Sequence, residues 1–273
     1  MSERVEKFNT DVQAMTERYL NAVESFIEKA KKDVNIIAVI IAGSLANDVV
    51  WEKSDIDAIA VVRDQNLKIH EFTLDEDGIT LNMNVQERSS FVRMIERGGW
   101  NSSFMAKARV MYTTDESISK MLEQSKQIGE RDAQISAMFS AGDAVCYIEK
   151  CEKWLYIKRD YTYCRYYIIK LAESLAHVEL WRNKEAPGRE ALQQAQLINP
   201  ELVSRFYYYP LSRELSKSEL EELIQDADDY LVKHLDYLSE PVIDYLSDGE
   251  VRTLTVLQRQ FRAGGHFFVH LLD

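Results

Sequence analysis

Between Ile36 and Val62 the chain reads IIAVIIAGSLANDVVWEKSDIDAIAVV, and no other stretch constrains the fold as much. Two runs, IIAVIIA and AIAVV, are too apolar and β-branched for surface elements, and each reads as a buried strand. Asp55 and Asp57 stand at the entrance to the second run. Residues i and i+2 of a strand face the same way, so both carboxylates share one face. Two carboxylates that close repel, and one stays protonated unless a divalent cation neutralises the pair. An oxygen-only ligand set favours a hard ion such as Mg²⁺, which keeps waters and takes further oxygens from a substrate's phosphates. At the end of the first run, Gly43-Ser44 lets the backbone turn sharply and presents N–H groups and a hydroxyl, a geometry that suits phosphate. A phosphate cradle beside a metal-binding acid pair points to phosphoryl or nucleotidyl transfer by in-line displacement. A lone Asp-x-Asp is more often a turn cap at a strand start. A Gly-Ser turn, ten intervening residues and then Asp-Ile-Asp between apolar runs is a much narrower signal.

The segment AGSLANDVVWEKSDIDAIAVV resembles the nucleotidyltransferase superfamily named for DNA polymerase β, whose motif is an apolar residue, Gly-Ser, a spacer, then Asp-x-Asp or Asp-x-Glu. Within it the chain looks most like the bacterial stand-alone branch that includes the aminoglycoside and lincosamide nucleotidyltransferases, which join a small catalytic domain to a helical substrate-binding domain. The motif itself spans Gly43 to Asp57; the order of elements extends the resemblance loosely to about residue 125. The resemblance implies that Gly43 and Ser44 hold the nucleotide phosphates. It also implies that Asp55 and Asp57 hold Mg²⁺, as two ions when the nucleoside triphosphate is bound. The family usually carries a third carboxylate on a later strand, as metal ligand or base. The corresponding strand here, ITLNMNVQER, offers Asn82, Asn84 and Gln86 on one face. Amides are not bases, and they bind Mg²⁺ less well than carboxylates do. Glu87 just beyond and Glu71 on the neighbouring strand are the candidates for the base. An offset of one residue turns Glu87 to the other face unless the strand ends there.

The rest of the chain divides by pattern. Apolar residues recur at helical spacing from residue 3 to 32, and KIHEFTL with ITLNMNVQ reads as a hairpin about the turn signal DEDG. A helical segment from about Ser89, interrupted at Gly98-Gly99, leads to a strand ARVMYT and a helix opening near Ser117. From about Arg131 strand signals vanish and long helical patterns take over. All four prolines (Pro187, Pro200, Pro210 and Pro241) lie there and are expected to separate helices. The expected fold is α+β: a small nucleotidyltransferase domain, residues 1–128, with a mixed sheet flanked by helices, then an all-α helical bundle, residues 129–273, that binds the acceptor.

In the second half, KRDYTYCRYYIIKLAESL gathers Lys158, Arg159 and Arg165 with several tyrosines in one helical pattern. Its polar stripe suits the nucleotide base or triphosphate; its apolar residues suit a bundle core with the basic groups solvated. The aromatic cluster RFYYYPLSREL suits a pocket lining or a loop anchor, and the acidic helix SELEELIQDADDYL a cationic acceptor or a solvated face. His266 and His270 fall at i, i+4 with no third ligand in view. Cys146, Cys151 and Cys164 are odd in number, show no CxxC spacing and read as reduced core thiols.

A net charge of −12 argues against a nucleic-acid partner held by bulk basicity. No apolar run reaches the ~18 residues of a membrane span, and no targeting pattern opens the chain, so the expected location is the cytoplasm. The expected activity is Mg²⁺-dependent transfer of NMP, AMP first among them, from a nucleoside triphosphate to a hydroxyl of a small molecule such as an antibiotic. The alternative is a catalytically impaired relative that binds nucleotide or regulates a partner. Apolar-faced C-terminal helices suit a homodimer and a monomeric bundle alike.

Overall fold

The computed structural model describes residues 12–46, 50–96 and 107–262. The chain divides into two compact units, Met1–Gln127 and Ile128–Asp273.

The first unit is built on a five-stranded sheet in the order β3-β4-β2-β1-β5. Strands β1 (Ile36–Ala42) and β2 (Ile56–Val62) are the two apolar runs, and they pair antiparallel from Ile36↔Val62 to Ala42↔Asp57. β5 (Arg109–Thr113) pairs antiparallel with the other side of β1. β3 (Glu71–Glu76) and β4 (Ile79–Glu87) form the expected hairpin, and β4 runs parallel to β2. Asp77 and Gly78 both have positive φ, 54° and 75°, as a two-residue turn matched to strand twist requires.

Both sheet faces are covered, which is why β1 carries apolar residues without alternation. Helix α1 (Val12–Ala30) lays Tyr19, Val23, Phe26 and Ile27 on Val39, Ile41, Ala58, Leu81 and Met83. On the opposite face Phe91 of α3 (Arg88–Glu96) and Ile118 and Leu122 of α4 (Glu116–Ser125) cover Ala38, Ile40, Ile59 and Val61; the single turn α2 (Gly43–Ala46) precedes them in the chain. The exposed edge strand β3 is tied down at one end. There the buried Glu76 accepts hydrogen bonds from Ser25 Oγ (2.5 Å) and Lys29 Nζ (2.6 Å) of α1. Asp115 caps α4 by accepting from Ser117 N at 3.0 Å. The Ser117 hydroxyl and the Arg88 guanidinium, 2.6 Å away, hold the Asp115 carboxyl down at about 2.

The second unit is helical: α5 (Glu130–Glu152), α6 (Tyr161–Arg182), α7 (Ala191–Ile198), α8 (Pro200–Val203), α9 (Tyr209–Ser212), α10 (Lys217–Lys233), α11 (Leu235–Leu246) and α12 (Leu254–Phe261). Its core joins Ala137, Ala144, Ile148 and Leu155 to Ile168, Leu171 and Leu175 and to Leu220, Leu223 and Ala227. Cys151 and Cys164 are buried there as free thiols, and Cys146 is half-buried.

Two expectations need correction. Lys158, Arg159 and Arg165 do not share a helix. Lys158 ends a π-helical turn, Lys153–Lys158, Arg159 turns left-handed (φ 56°), and Asp160 caps a new helix by accepting from Tyr163 N. Pro241 does not separate helices. It lies inside α11, buried, in the second turn after a start at Leu235. The residues before Val12, Gly98-Gly99 and the His266/His270 pair lie outside the described residues. No helix among the described residues is long and apolar enough to cross a membrane.

Candidate active site

The acid pair sits where β1 ends and β2 begins. Pairing of Ala42 with Asp57 puts the turn that follows β1 directly beside the second carboxylate. Gly43 takes φ +69°, a conformation that costs side-chain-bearing residues strain. A β-carbon there would lie 2.6 Å from Asp57 Oδ2, so the turn and the carboxylate can approach only because residue 43 has none. The Arg109 guanidinium fixes the far side of α2, with Nη2 donating to the Leu45 carbonyl at 2.7 Å.

Asp55 is positioned by a buried phenol. Residues 51–54 form a tight turn closed by Ser54 N to Trp51 O (2.8 Å) and Trp51 N to Ser54 Oγ (3.1 Å). Tyr19 of α1 is 3% exposed, and its hydroxyl lies 2.7 Å from Ser54 O and 3.1 Å from Trp51 O. Burial pushes the Tyr19 phenol up, Arg18 opposes this, and the Asp55 charge adds to it. A buried tyrosine hydroxyl needs a partner, and here the partner is the loop that delivers Asp55. Sequence periodicity shows Tyr19 only as a core position of a helix; its polar end carries no local signal.

One rung of the sheet carries the site across four strands: Ala42 of β1, Asp57 of β2, Asn82 of β4 and Thr73 of β3 are successive register partners. Asn82 Nδ2 donates to Asp55 Oδ2 at 2.5 Å, and Thr73 Oγ1 lies 3.0 Å from Asn82 Oδ1. A carboxylate oxygen only accepts, so the amide nitrogen must face Asp55 and the amide oxygen must take the Thr73 proton. The next rung on this face, Ile59, Asn84 and Glu71, continues the amides: Asn84 Nδ2 reaches Glu71 Oε1 at 3.3 Å and Gln86 Nε2 donates to Asn84 Oδ1 at 2.8 Å.

The register also separates the two candidate bases. Glu87 is still in β4, opposite Val62 at the far end of β2 from Asp57, and strand alternation turns it to the face of Leu81 and Met83. Glu87 is therefore not brought to the acid pair. Glu71 is on the acid-pair face, one rung beyond Thr73, and exposed. The Ser44 backbone lies in α2; its side chain is outside the described residues. Lys158, Arg159 and Arg165 belong to the second unit, where Arg165 Nη1 donates to Arg213 O at 2.8 Å.

The donor set, carboxylates alone, suits a hard divalent ion. Among the described residues no three His, Cys, Asp or Glu side chains are grouped to hold a metal. The protein's share is two carboxylates on one face, with Asp55 exposed and Asp57 half-buried. An Mg²⁺ ion held there would take its remaining oxygens from water and a substrate's phosphates.

The sequence matches no protein-family profile and no curated protein. Its fold is similar to the crystal structure of a nucleotidyltransferase-like protein from Exiguobacterium sibiricum 255-15. The TM-score is 0.58 over 85% of this chain and 80% of that one, at 10% identity. The chain thus has a nucleotidyltransferase fold, an α+β unit with a five-stranded mixed sheet followed by a helical region.

Proposed function

We propose that the protein is a nucleotidyltransferase that moves NMP from a nucleoside triphosphate to a hydroxyl of a small molecule. The observation that carries this reading is the closure of Gly43 on Asp57, which places the turn after β1 against the acid pair that opens β2. In the reaction an acceptor oxygen bonds to the α-phosphorus, the bond from that phosphorus to the bridging oxygen breaks, and pyrophosphate leaves with the electron pair. Asp55 and Asp57 would hold Mg²⁺, which when bound neutralises phosphate charge and favours ionisation of the attacking hydroxyl. Gly43 and Ser44 bind and orient the phosphates through the backbone of the turn. Arg109 holds the segment that follows this turn through the Leu45 carbonyl, and Tyr19 holds the 51–54 turn that delivers Asp55.

AMP is the favoured transferred group, and an antibiotic hydroxyl is one acceptor class the reading allows. Lys158, Arg159 and Arg165 stand as the cationic contribution of the helical unit to nucleotide binding, and that unit as the acceptor domain. Glu71 replaces Glu87 as the carboxylate offered for the acceptor's proton, because it alone of the two shares the acid-pair face.

A second reading has its own observation. Asn82 stands beside Asp57 on the rung where a third carboxylate would complete the set. This favours a protein that binds nucleotide and transfers it slowly or not at all, as a regulator. Incubation with each of the four α-phosphate-labelled nucleoside triphosphates and a panel of hydroxyl compounds separates the two. Label on an acceptor with release of pyrophosphate supports the enzyme. Nucleotide retained without turnover against any acceptor supports the regulator.

A further inference from the structure

The turn that delivers Asp55 begins with an exposed tryptophan. Trp51 leaves 51% of its surface open to solvent, although tryptophan is highly buried on average. Its backbone, in contrast, is fixed. Trp51 N donates to Ser54 Oγ, and Trp51 O accepts from Ser54 N at 2.8 Å and from the Tyr19 hydroxyl at 3.1 Å. A lone exposed aromatic is ordinary on a protein surface. Two neighbours set this one apart. Lys53 Nζ stands 5.7 Å from the centroid of the indole ring, over its face. The turn also keeps the Cα atoms of Trp51 and Ser54 within about 7 Å of each other, with the exposed Asp55 next in the chain. A flat ring with a positive charge beside it is the combination by which proteins hold bases and their phosphates.

We propose that Trp51 is a stacking platform for the base of the nucleoside triphosphate, and that Lys53 meets the negative charge of its phosphates. The proposal rests on the reading of Asp55 and Asp57 as the cation site that holds those phosphates. Lys53 is exposed and carries its ammonium on a flexible four-carbon stem. The ammonium leaves the indole for the phosphates as the base takes its place over the ring. Stacking uses the π-face that every base has, so Trp51 adds affinity for all four nucleotides, and most for the larger purines. The hydrogen bonds that shape the turn use main-chain atoms of Trp51, so replacing the ring leaves the delivery of Asp55 intact.

The test is calorimetric titration of the Mg²⁺ complexes of ATP, CTP and inorganic tripolyphosphate into the full chain and into Trp51→Phe, Trp51→Ala, Lys53→Met and Asp57→Asn. Tripolyphosphate brings the charge of the nucleotide without a base. Trp51→Ala should weaken ATP by about tenfold, within the range for loss of one base–aromatic stack, weaken CTP less, and leave tripolyphosphate unchanged. Trp51→Phe keeps a ring and should retain most of the ATP affinity. Lys53→Met should weaken all three ligands. Equal losses of ATP and tripolyphosphate in Trp51→Ala would mean that the ring acts through the turn, and unchanged ATP binding that the base lies elsewhere; either overturns the platform while the cation site stands. Tripolyphosphate binding unchanged in Lys53→Met overturns the role of Lys53. If neither ATP nor tripolyphosphate binds the wild type with Mg²⁺, or both bind Asp57→Asn as well, the cation site itself is wrong and the platform falls with it.

Discussion

Gly43 and Asp57 share a space that holds one carboxylate and no β-carbon: a methyl group on residue 43 would stand 2.6 Å from Asp57 Oδ2. The left-handed backbone at Gly43 and this close approach are separate demands, and glycine meets both.

Gly43→Ala therefore acts twice. It strains the backbone at φ +69° and pushes the Asp57 carboxylate out of place. A loss of about 1–3 kcal/mol is expected in urea unfolding. Nucleotide binding should fall much further than stability, which calorimetry on the folded variant measures.

Tyr19→Phe removes one hydroxyl that serves the carbonyls of both Trp51 and Ser54. Ring packing is kept, so the change reads the hydrogen bonds alone. Stability should drop by about 1–2 kcal/mol. Affinity for Mg²⁺ with nucleotide should weaken too, because the turn that delivers Asp55 loses its anchor. Tyr19→Leu should weaken it no less.

Asp115 carries a pH dependence of known sign. Its folded carboxyl is held at about 2, below its ordinary value of 3.8, by the Ser117 hydroxyl and then by Arg88. The ionised form is thus favoured in the folded state, and its stabilisation is fully present above about pH 4. It is lost as pH falls toward 2. Asp115→Asn keeps a capping side chain and loses the charge beside Arg88. The stability gap between wild type and this variant should be widest at pH 5 and above, and should close between pH 4 and 2 in urea titrations.

What the sequence made legible was local. The apolar runs of β1 and β2 announce a covered sheet, DEDG announces the β3–β4 turn, and the Gly43 to Asp57 spacing announces the acid pair. The parallel pairing of β4 with β2 is different, because nothing near either strand fixes which residue meets Asp57. That register decides that Asn82 is the neighbour, that Thr73 meets its amide oxygen and that Glu87 lies at the wrong end. Tyr19 was hidden for a related reason: its ring follows helix periodicity while its hydroxyl serves a loop more than thirty residues away. Lys158, Arg159 and Arg165 read as one helical stripe because a left-handed residue at Arg159 has no signature in an arginine.

The central claim is that Asp55 and Asp57 bind nucleotide through a divalent cation. Calorimetric titration of ATP into the wild-type chain and into Asp57→Asn, each with and without Mg²⁺, tests it most directly. The account predicts saturable binding that requires Mg²⁺ and vanishes in the variant. Binding that survives in Asp57→Asn, or silence of the wild type toward all four nucleoside triphosphates, would contradict it.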